Sequence, residues 1–333
     1  MLMSTDESVR RQHEAVRTTA GWFCFTHHLI EVAGPDAAVA LDRMCTGAIA
    51  SLAVGRERYT MILDDKGIIQ DDIIIFRIAE ETFWISTLHI NRELIRLKKL
   101  AEALDFTFAR ITEAWEMYSV QGPQSLALVN AVVDEPVDDL RFFSIRDNHV
   151  GDVAVKVARS GFTGEKFGYE IYVPAPQVDV LVEKLRSNQD SVGAVEVDEI
   201  DVMVFSLSAE KGYVLMSDIH RCNPFEVGME KSIDFSKEEF AGKSAVLELR
   251  DKPCTRKLVS VVFEDQEVLA YGGPKGAHLF KGGVDVGRLT RLTYGATVGS
   301  YIGFALIDTR KAQVGDEVTI EGYPATIKER PLL

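Results

Sequence analysis

The chain has 333 residues, 46% of them hydrophobic and 26% charged, with a formal net charge of −14. That length and balance fit a globular protein of about two or three domains. The negative total and scattered basic residues exclude a face that neutralises a phosphate backbone, so no nucleic acid partner is expected. No apolar run reaches about 18 residues and MLMSTDESVRRQHEAVR is too polar for a signal peptide, so no membrane contact and a cytoplasmic location are expected.

In chain order, the first signal is LIEVAGPDAAVAL (Leu29 to Leu41), which MYSVQGPQSLALV echoes from Met117 to Val129. Each reads as a short strand ending at Gly-Pro, with Pro opening an amphipathic helix where its missing N–H costs nothing. Two copies imply two related α+β units. Between them, strands are expected at Asp72–Ile78 and Thr82–Leu88, then a helix from Asn91 to Leu104 with Leu94, Leu97, Leu100 and Leu104 on one face. After the second copy, strands are expected at Val153–Ala158 and Tyr169–Val173, with helices near Gln177–Leu185 and Asp198–Lys211. This order fits ferredoxin-like split βαβ halves. From Cys254 onward LVSVVF, GGVDVGRLT, YIGFALI, DEVTI and PATI alternate between Gly-rich turns, predicting a separate all-β domain behind an Asp251-Lys252-Pro253 linker. The expected domains are residues 1–115, 116–250 and 254–333.

Cys24, Cys45, Cys222 and Cys254 lie far apart without CxxC or paired His spacing, so no metal site or disulfide framework is expected. The stretch KGIIQDDIIIF sets Asp71 and Asp72 against an isoleucine run. Either the pair marks the exposed start of the strand or it lines a pocket; adjacent residues of a strand face opposite sides, so only one acid can face a pocket while the other meets solvent or caps the turn at Gly67.

KGIIQDDIIIF, VQGPQSLAL, SGFTGEKFGYEIYVP, LSAEKGYVLMSDI, DFSKEEFAGKSAV and VGRLTRLTYGATVGSYIGFALI occur in this order. Together they resemble the signature blocks of the folate-dependent aminomethyltransferases of the glycine cleavage system and their demethylase relatives. The resemblance covers nearly the whole chain. It implies an α+β protein forming a three-domain ring, with two ferredoxin-like units and a C-terminal all-β barrel or jelly-roll. A central channel would hold tetrahydrofolate as one-carbon acceptor.

A reduced pterin presents adjacent N–H donors that one carboxylate accepts together, and Glu170, alternating with Tyr169 and Ile171 behind a Gly-rich turn, suits that role. By the resemblance Glu170 is the pterin anchor, and Phe162 stands where the family commonly has Tyr. Of the acid pair, Asp72 is taken as the channel residue, orienting the pterin and stabilising developing positive charge in a water-poor site; Asp71 is its outward neighbour. Tyr118 and Gln121 before the second Gly-Pro, and Tyr213 after Gly212, are further candidates on the channel wall. Arg291, placed in a loop, is a candidate for an anionic substrate or the folate glutamate tail.

The departures matter too. The family's Leu-Arg-Leu-Glu-Ala-Gly block reads Leu207-Ser208-Ala209-Glu210-Lys211-Gly212 here, and a serine hydroxyl does not replace an arginine fork. QHEAVR (Gln12 to Arg17) also lies roughly thirty residues nearer the first residue than its family counterpart, so a changed pocket wall is expected. These differences tilt the expectation from glycine cleavage toward a demethylase with a small methylated or aminomethylated donor, and away from a lipoyl carrier protein as partner. The alternatives are the glycine cleavage aminomethyltransferase proper and a non-catalytic folate-binding protein of the same fold.

Overall fold

The computed structural model describes residues 7–264 and 276–333. Helix α1 (Glu7–Thr18) buries Val9, Ala15 and Val16 and leads into β1 (Ala20–Cys24). The first unit then runs β2 (His28–Ala33), α2 (Ala37–Met44), β3 (Glu57–Leu63), β4 (Ile69–Ala79), β5 (Thr82–Thr87), α3 (Ile90–Leu100) and β6 (Thr107–Arg110). The second repeats it as β7 (Trp115–Gln121), α4 (Ser125–Val132), β8 (Ile145–Val150), β9 (Val153–Ala158), β10 (Gly168–Pro174), α5 (Val178–Gln189) and β11 (Ala194–Glu196).

The strand orders are β3-β4-β5-β2-β6 and β8-β9-β10-β7-β1-β11. The two sheets therefore share one topology, with β1 wedged between the first and last strands of the second unit. The division expected at residue 115 is crossed by this strand, which pairs antiparallel with β7 and parallel with β11.

The Gly-Pro echo makes the same turn twice: Ala37 N donates to Gly34 O at 3.1 Å and Ser125 N to Gly122 O at 3.0 Å. Both glycines have positive φ, 138° and 121°. A Cβ would stand 2.8 Å from Phe106 Cα at Gly34 and 2.5 Å from Val16 O at Gly122, so no other residue fits either turn without backbone movement. Each proline sits in the turn, just ahead of the helices that begin at Ala37 and Ser125.

Helices α2 and α3 cover one face of the first sheet over Leu41, Ile73, Ile75 and Leu97. Helices α4 and α5 cover one face of the second over Trp22, Val129, Ile171 and Leu185. The two uncovered faces meet through Phe76, Trp84, Met117, Ile145 and Tyr172. The expected helix over Asp198–Lys211 is instead a π-helical stretch, Asp201–Ser206, followed by one α-turn, α6 (Leu207–Glu210). The widened turn lets Ser206 face away from the helix and bond to its neighbours.

After α7 (Met216–Ile219), the DFSKEEFAGKSAV block straps the barrel side of the chain to the first unit. Asp234 N and Ala241 N donate to Thr46 O and Arg43 O, both at 3.0 Å. The Lys237 ammonium bonds Cys45 O at 2.6 Å, Gly47 O at 2.9 Å and also Asp42 O, closing the carbonyl end of α2. Helix α8 (Lys243–Arg250) leads to β12 (Arg256–Phe263), β13 (His278–Lys281), β14 (Val284–Gly295), β15 (Ser300–Asp308), β16 (Glu317–Ile320) and β17 (Tyr323–Lys328). These close as a barrel in the order β12-β15-β14-β13-β16-β17. Clusters around Phe23, Leu207 and Tyr294, and around Met61, Ile69, Ala209 and Phe304, join the barrel to both units.

Candidate functional site

Strand β4 starts three residues earlier than its sequence suggests, so Asp71 and Asp72 lie inside it rather than at its exposed start. Pairing with β3 passes from Leu63↔Ile69 to Ile62↔Asp71, so Gln70 is an extra, bulged residue. Bulges re-aim the side chains beside them. Asp71 shares the helix-covered face with Ile73 and Ile75 and is fully buried. Its carboxylate accepts Thr87 Oγ1 at 2.6 Å and His89 Nδ1 at 3.0 Å, securing the entry into α3. The expectation that Asp71 meets solvent or caps the Gly67 turn is therefore corrected: the polar start of α3 gives it partners inside the protein.

Asp72 faces the other way, opposite Met61 on β3, and Tyr59 Oη donates to its Oδ2 at 2.9 Å. Burial raises its carboxyl to about 6, against the lowering effect of that bond, with Asp71 adding repulsion. Tyr59 and Glu57 are alternate residues of β3 and share a face roughly 7 Å apart along the strand. Glu57 is 3% exposed and neither of its oxygens has a hydrogen-bond partner among the described residues. Burial, then the charge of Glu170, pushes its carboxyl well up.

Glu170 is equally buried and accepts Tyr172 Oη at 3.0 Å, while burial lifts it to about 7. Two buried carboxyls that repel each other cannot both be ionised cheaply, and the one that accepts the Tyr172 hydroxyl, Glu170, holds negative charge first. Sequence reasoning missed Glu57; its alternation with Tyr59 and Met61 on an otherwise apolar strand face was the signal available. His27 also reaches this region, bonding Ser86 Oγ at 2.9 Å, and burial holds it neutral by lowering it to about 4.

The remaining predicted residues fall into different places. Phe162 packs edge-on to Phe23 and tilted against Phe25, with ring centroids 5.8 and 4.7 Å away. Gln121 is buried and satisfied: its amide donates to Ser119 Oγ and Ser160 O and accepts Thr163 Oγ1, so it fixes the Ser160–Thr163 loop rather than offering atoms to a ligand. Tyr118 lies on the helix-covered face of β7 against Trp22, the opposite side from Glu170, because it alternates with Met117. It does not line the site. Tyr213 follows α6 and is 42% exposed.

Arg291 is not in a loop. It lies in β14, 4% exposed, with its guanidinium over Phe304 and ion-paired to Asp218. Its Nη1 donates to Ser208 Oγ at 3.0 Å. A guanidinium thus stands beside position 208 after all, delivered from the barrel.

A second polar hub explains two of the signature blocks. His13 and Arg17, one turn apart on α1, converge on buried Glu210 of α6: His13 Nε2 at 3.1 Å and Arg17 Nη2 at 2.9 Å from Oε2. Thr297 N and Val298 N of the barrel donate to Oε1, and Ser206 Oγ meets His13 Nδ1 at 2.8 Å. Burial opposes ionisation, but His13 and Arg17 hold the Glu210 carboxyl down at about 2. Among the described residues no His/Cys/Asp/Glu group is arranged to hold a metal ion, and no helix is long and apolar enough to cross a membrane.

Comparison with known proteins places this geometry. Residues 3–237 match the GCVT N-terminal domain and residues 256–333 the glycine cleavage T-protein C-terminal barrel domain. The chain is 30% identical over 332 residues to an aminomethyltransferase of Bacillus subtilis, covering 97% of this chain and 89% of that protein. It is 31% identical over 318 residues to the aminomethyltransferase of Streptomyces avermitilis, covering 92% and 83%. The crystal structure of glycine cleavage system aminomethyltransferase T from Bartonella henselae superposes with a TM-score of 0.86 at 25% identity, over 98% of this chain and 89% of that one. The chain therefore belongs to the glycine cleavage T-protein family of aminomethyltransferases, folate-dependent transferases for which tetrahydrofolate is the one-carbon acceptor.

Proposed function

We propose that this enzyme transfers the one-carbon unit of an aminomethyl donor to tetrahydrofolate, as a glycine cleavage aminomethyltransferase. The demethylase tilt rested on Ser208 in place of an arginine and on the early position of QHEAVR; a guanidinium does stand beside Ser208, that of Arg291, which bears on the first ground and leaves the second. The names of the relatives favour aminomethyl transfer as well, and with it a carrier-borne donor in place of a small methylated one.

The observation that carries the reading is the set of buried acids between the two sheets, with Glu57 of β3 and Glu170 of β10 at one end and Tyr59-held Asp72 of β4 at the other. Glu170, ionised first, accepts the paired N–H edge of the pterin. Asp72 stands where the reacting nitrogens would lie. Near neutral pH it can hold or release a proton and stabilise positive charge as the carbon moves. Tyr59 orients it. When bound, tetrahydrofolate supplies the nucleophilic nitrogen that accepts the carbon.

The test is to supply purified protein with tetrahydrofolate and an aminomethylated lipoyl carrier and to identify the folate product by mass. Methylenetetrahydrofolate with release of ammonia is expected. Formation of methyltetrahydrofolate or methylenetetrahydrofolate from a free N-methylated small molecule, with none from the carrier, would overturn the reading.

A further inference from the structure

Asp71, Asp72 and Glu170 each accept a hydrogen bond from a neighbouring side chain, whereas Glu57 accepts none among the described residues. It is 3% exposed, and both of its carboxyl oxygens are open. Its neighbour Arg56 gives its guanidinium to Ser144 Oγ instead. Ser160, 2% exposed just after β9, leaves its hydroxyl without a partner as well. A buried polar atom that bonds to nothing is costly, so three open oxygens at one place call for a group that the chain does not itself supply.

The backbone fixes where that group would lie. Glu57 N donates to Phe143 O at 3.1 Å, where the edge of the first sheet meets the second. Across the β3–β4 ladder Glu57 pairs with Phe76, whose ring packs edge-on to Tyr172 at 5.6 Å, and Tyr172 bonds Glu170. The two acids thus flank one aromatic contact. They repel each other without bonding to each other, and Ser160 stands beside both without closing a bond to either.

The edge of a reduced pterin matches this arrangement atom by atom. Its 2-amine carries two hydrogens, with N3–H on one flank and the bare N1 on the other. An ionised carboxylate suits the N3 flank, accepting N3–H and one amine hydrogen. The N1 flank needs an acceptor for the second amine hydrogen and a donor for N1, and an acid offers both only while it keeps its proton. Glu57 is held in that form, because burial and then the charge of Glu170 raise its carboxyl well above the ordinary range, against the weaker pull of Ser160 and Arg56.

We propose that Glu57 is a second recognition residue for the pterin ring: as a neutral acid it donates to N1 and accepts from the 2-amine, while Glu170 takes the N3 flank. Two carboxyls holding one proton between them grip the amine from both sides. The proton stays on Glu57 throughout. This rests on the reading above that Glu170 anchors the pterin.

The test measures the dissociation constant of tetrahydrofolate, anaerobically and near neutral pH, for wild type, Glu57→Gln and Glu57→Leu. Glutamine keeps a donor and an acceptor where the neutral acid has them, and leucine keeps only the bulk. Glu57→Leu should bind at least about tenfold more weakly than wild type, and Glu57→Gln within about threefold of it. Neither variant should melt below wild type, since each removes a buried acid that has no partner in the free protein. The infrared difference between wild type and Glu57→Gln should contain a protonated-carboxyl stretch that shifts when tetrahydrofolate is added. Undiminished binding by Glu57→Leu, binding by Glu57→Gln as poor as that by Glu57→Leu, an unmoved stretch, or an affinity lost only together with thermal stability overturns the role of Glu57 alone. Failure of wild type to bind tetrahydrofolate overturns the folate reading itself.

Discussion

Arg291 Nη1 reaches Ser208 Oγ at 3.0 Å, tying barrel strand β14 to helix α6 while the same guanidinium pairs with buried Asp218. In the aminomethyltransferases this chain resembles, position 208 carries the arginine itself. An arginine at either position would bring a guanidinium to this domain seam. Arg291→Ala should therefore cost about 3 to 5 kcal/mol, since it strands the Asp218 charge in the interior. A Ser208→Arg/Arg291→Ala double variant should recover a third or more of that loss in urea unfolding. A double variant no more stable than Arg291→Ala would show that the guanidinium is not interchangeable across the seam.

Asp71 and Asp72 should fail in different ways when each is changed to Asn. Asp71→Asn weakens charge-assisted bonds to Thr87 and His89 and should cost about 1.5 to 3 kcal/mol of stability. Asp72→Asn keeps an acceptor for Tyr59 but not a charge, and should lower turnover at least about a hundredfold, roughly 2.7 kcal/mol of transition-state stabilisation. Unfolding curves and single-turnover rates for the pair check this; full turnover in Asp72→Asn would remove it from the chemistry.

The raised carboxyls also predict a pH signature. Asp72, lifted to about 6, and Glu170, lifted to about 7, favour folding in their protonated forms. Their contribution is complete below about pH 4 and is lost as pH rises through 6 to 7. Asp72→Asn and Glu170→Gln should therefore match wild type near pH 4 and exceed it at pH 8 by roughly 1 to 3 kcal/mol, while losing function. Guanidinium titrations at the two pH values read the difference, and variants less stable than wild type at pH 8 would contradict it.

Glu210 has the opposite sign. Held at about 2, it stabilises the fold above its ordinary range near 4.5, and this is lost as pH falls through 2. Glu210→Gln should lower stability by about 2 to 4 kcal/mol at pH 7 because His13 and Arg17 lose their shared acceptor charge. The gap between variant and wild type should narrow steadily below about pH 4. A gap independent of pH would assign the loss to packing.

The sequence reading found the repeat and the barrel because turn chemistry and periodicity are local. Gly34 and Gly122 are readable since only glycine tolerates both the φ and the neighbouring backbone. It misplaced what depends on distant partners. The bulge at Gln70 is decided by pairing with Ile62 and Leu63, and the burial of Asp71 by Thr87 and His89. Tyr118 was assigned to the wrong face because strand boundaries, not residue type, decide which side faces the helices. Glu57 was invisible because its significance lies in Glu170, more than a hundred positions away in the chain.

The wedged strand constrains how the protein is made. β1 leaves the ribosome ahead of β2 to β6, yet Trp22 takes Val120 and Glu196 as its neighbours. The strand must wait unpaired until β7, roughly a hundred residues later, has been synthesised, and for its second partner until Glu196 has, while β2 to β6 complete their own sheet without it. Closing so long a loop is slow, and an edge strand held open for that interval is a template for pairing with other chains. Translation halted near residue 115 should yield a product whose first sheet forms and whose leading strand drives aggregation, whereas removing residues 1–25 from that product should leave it dispersed.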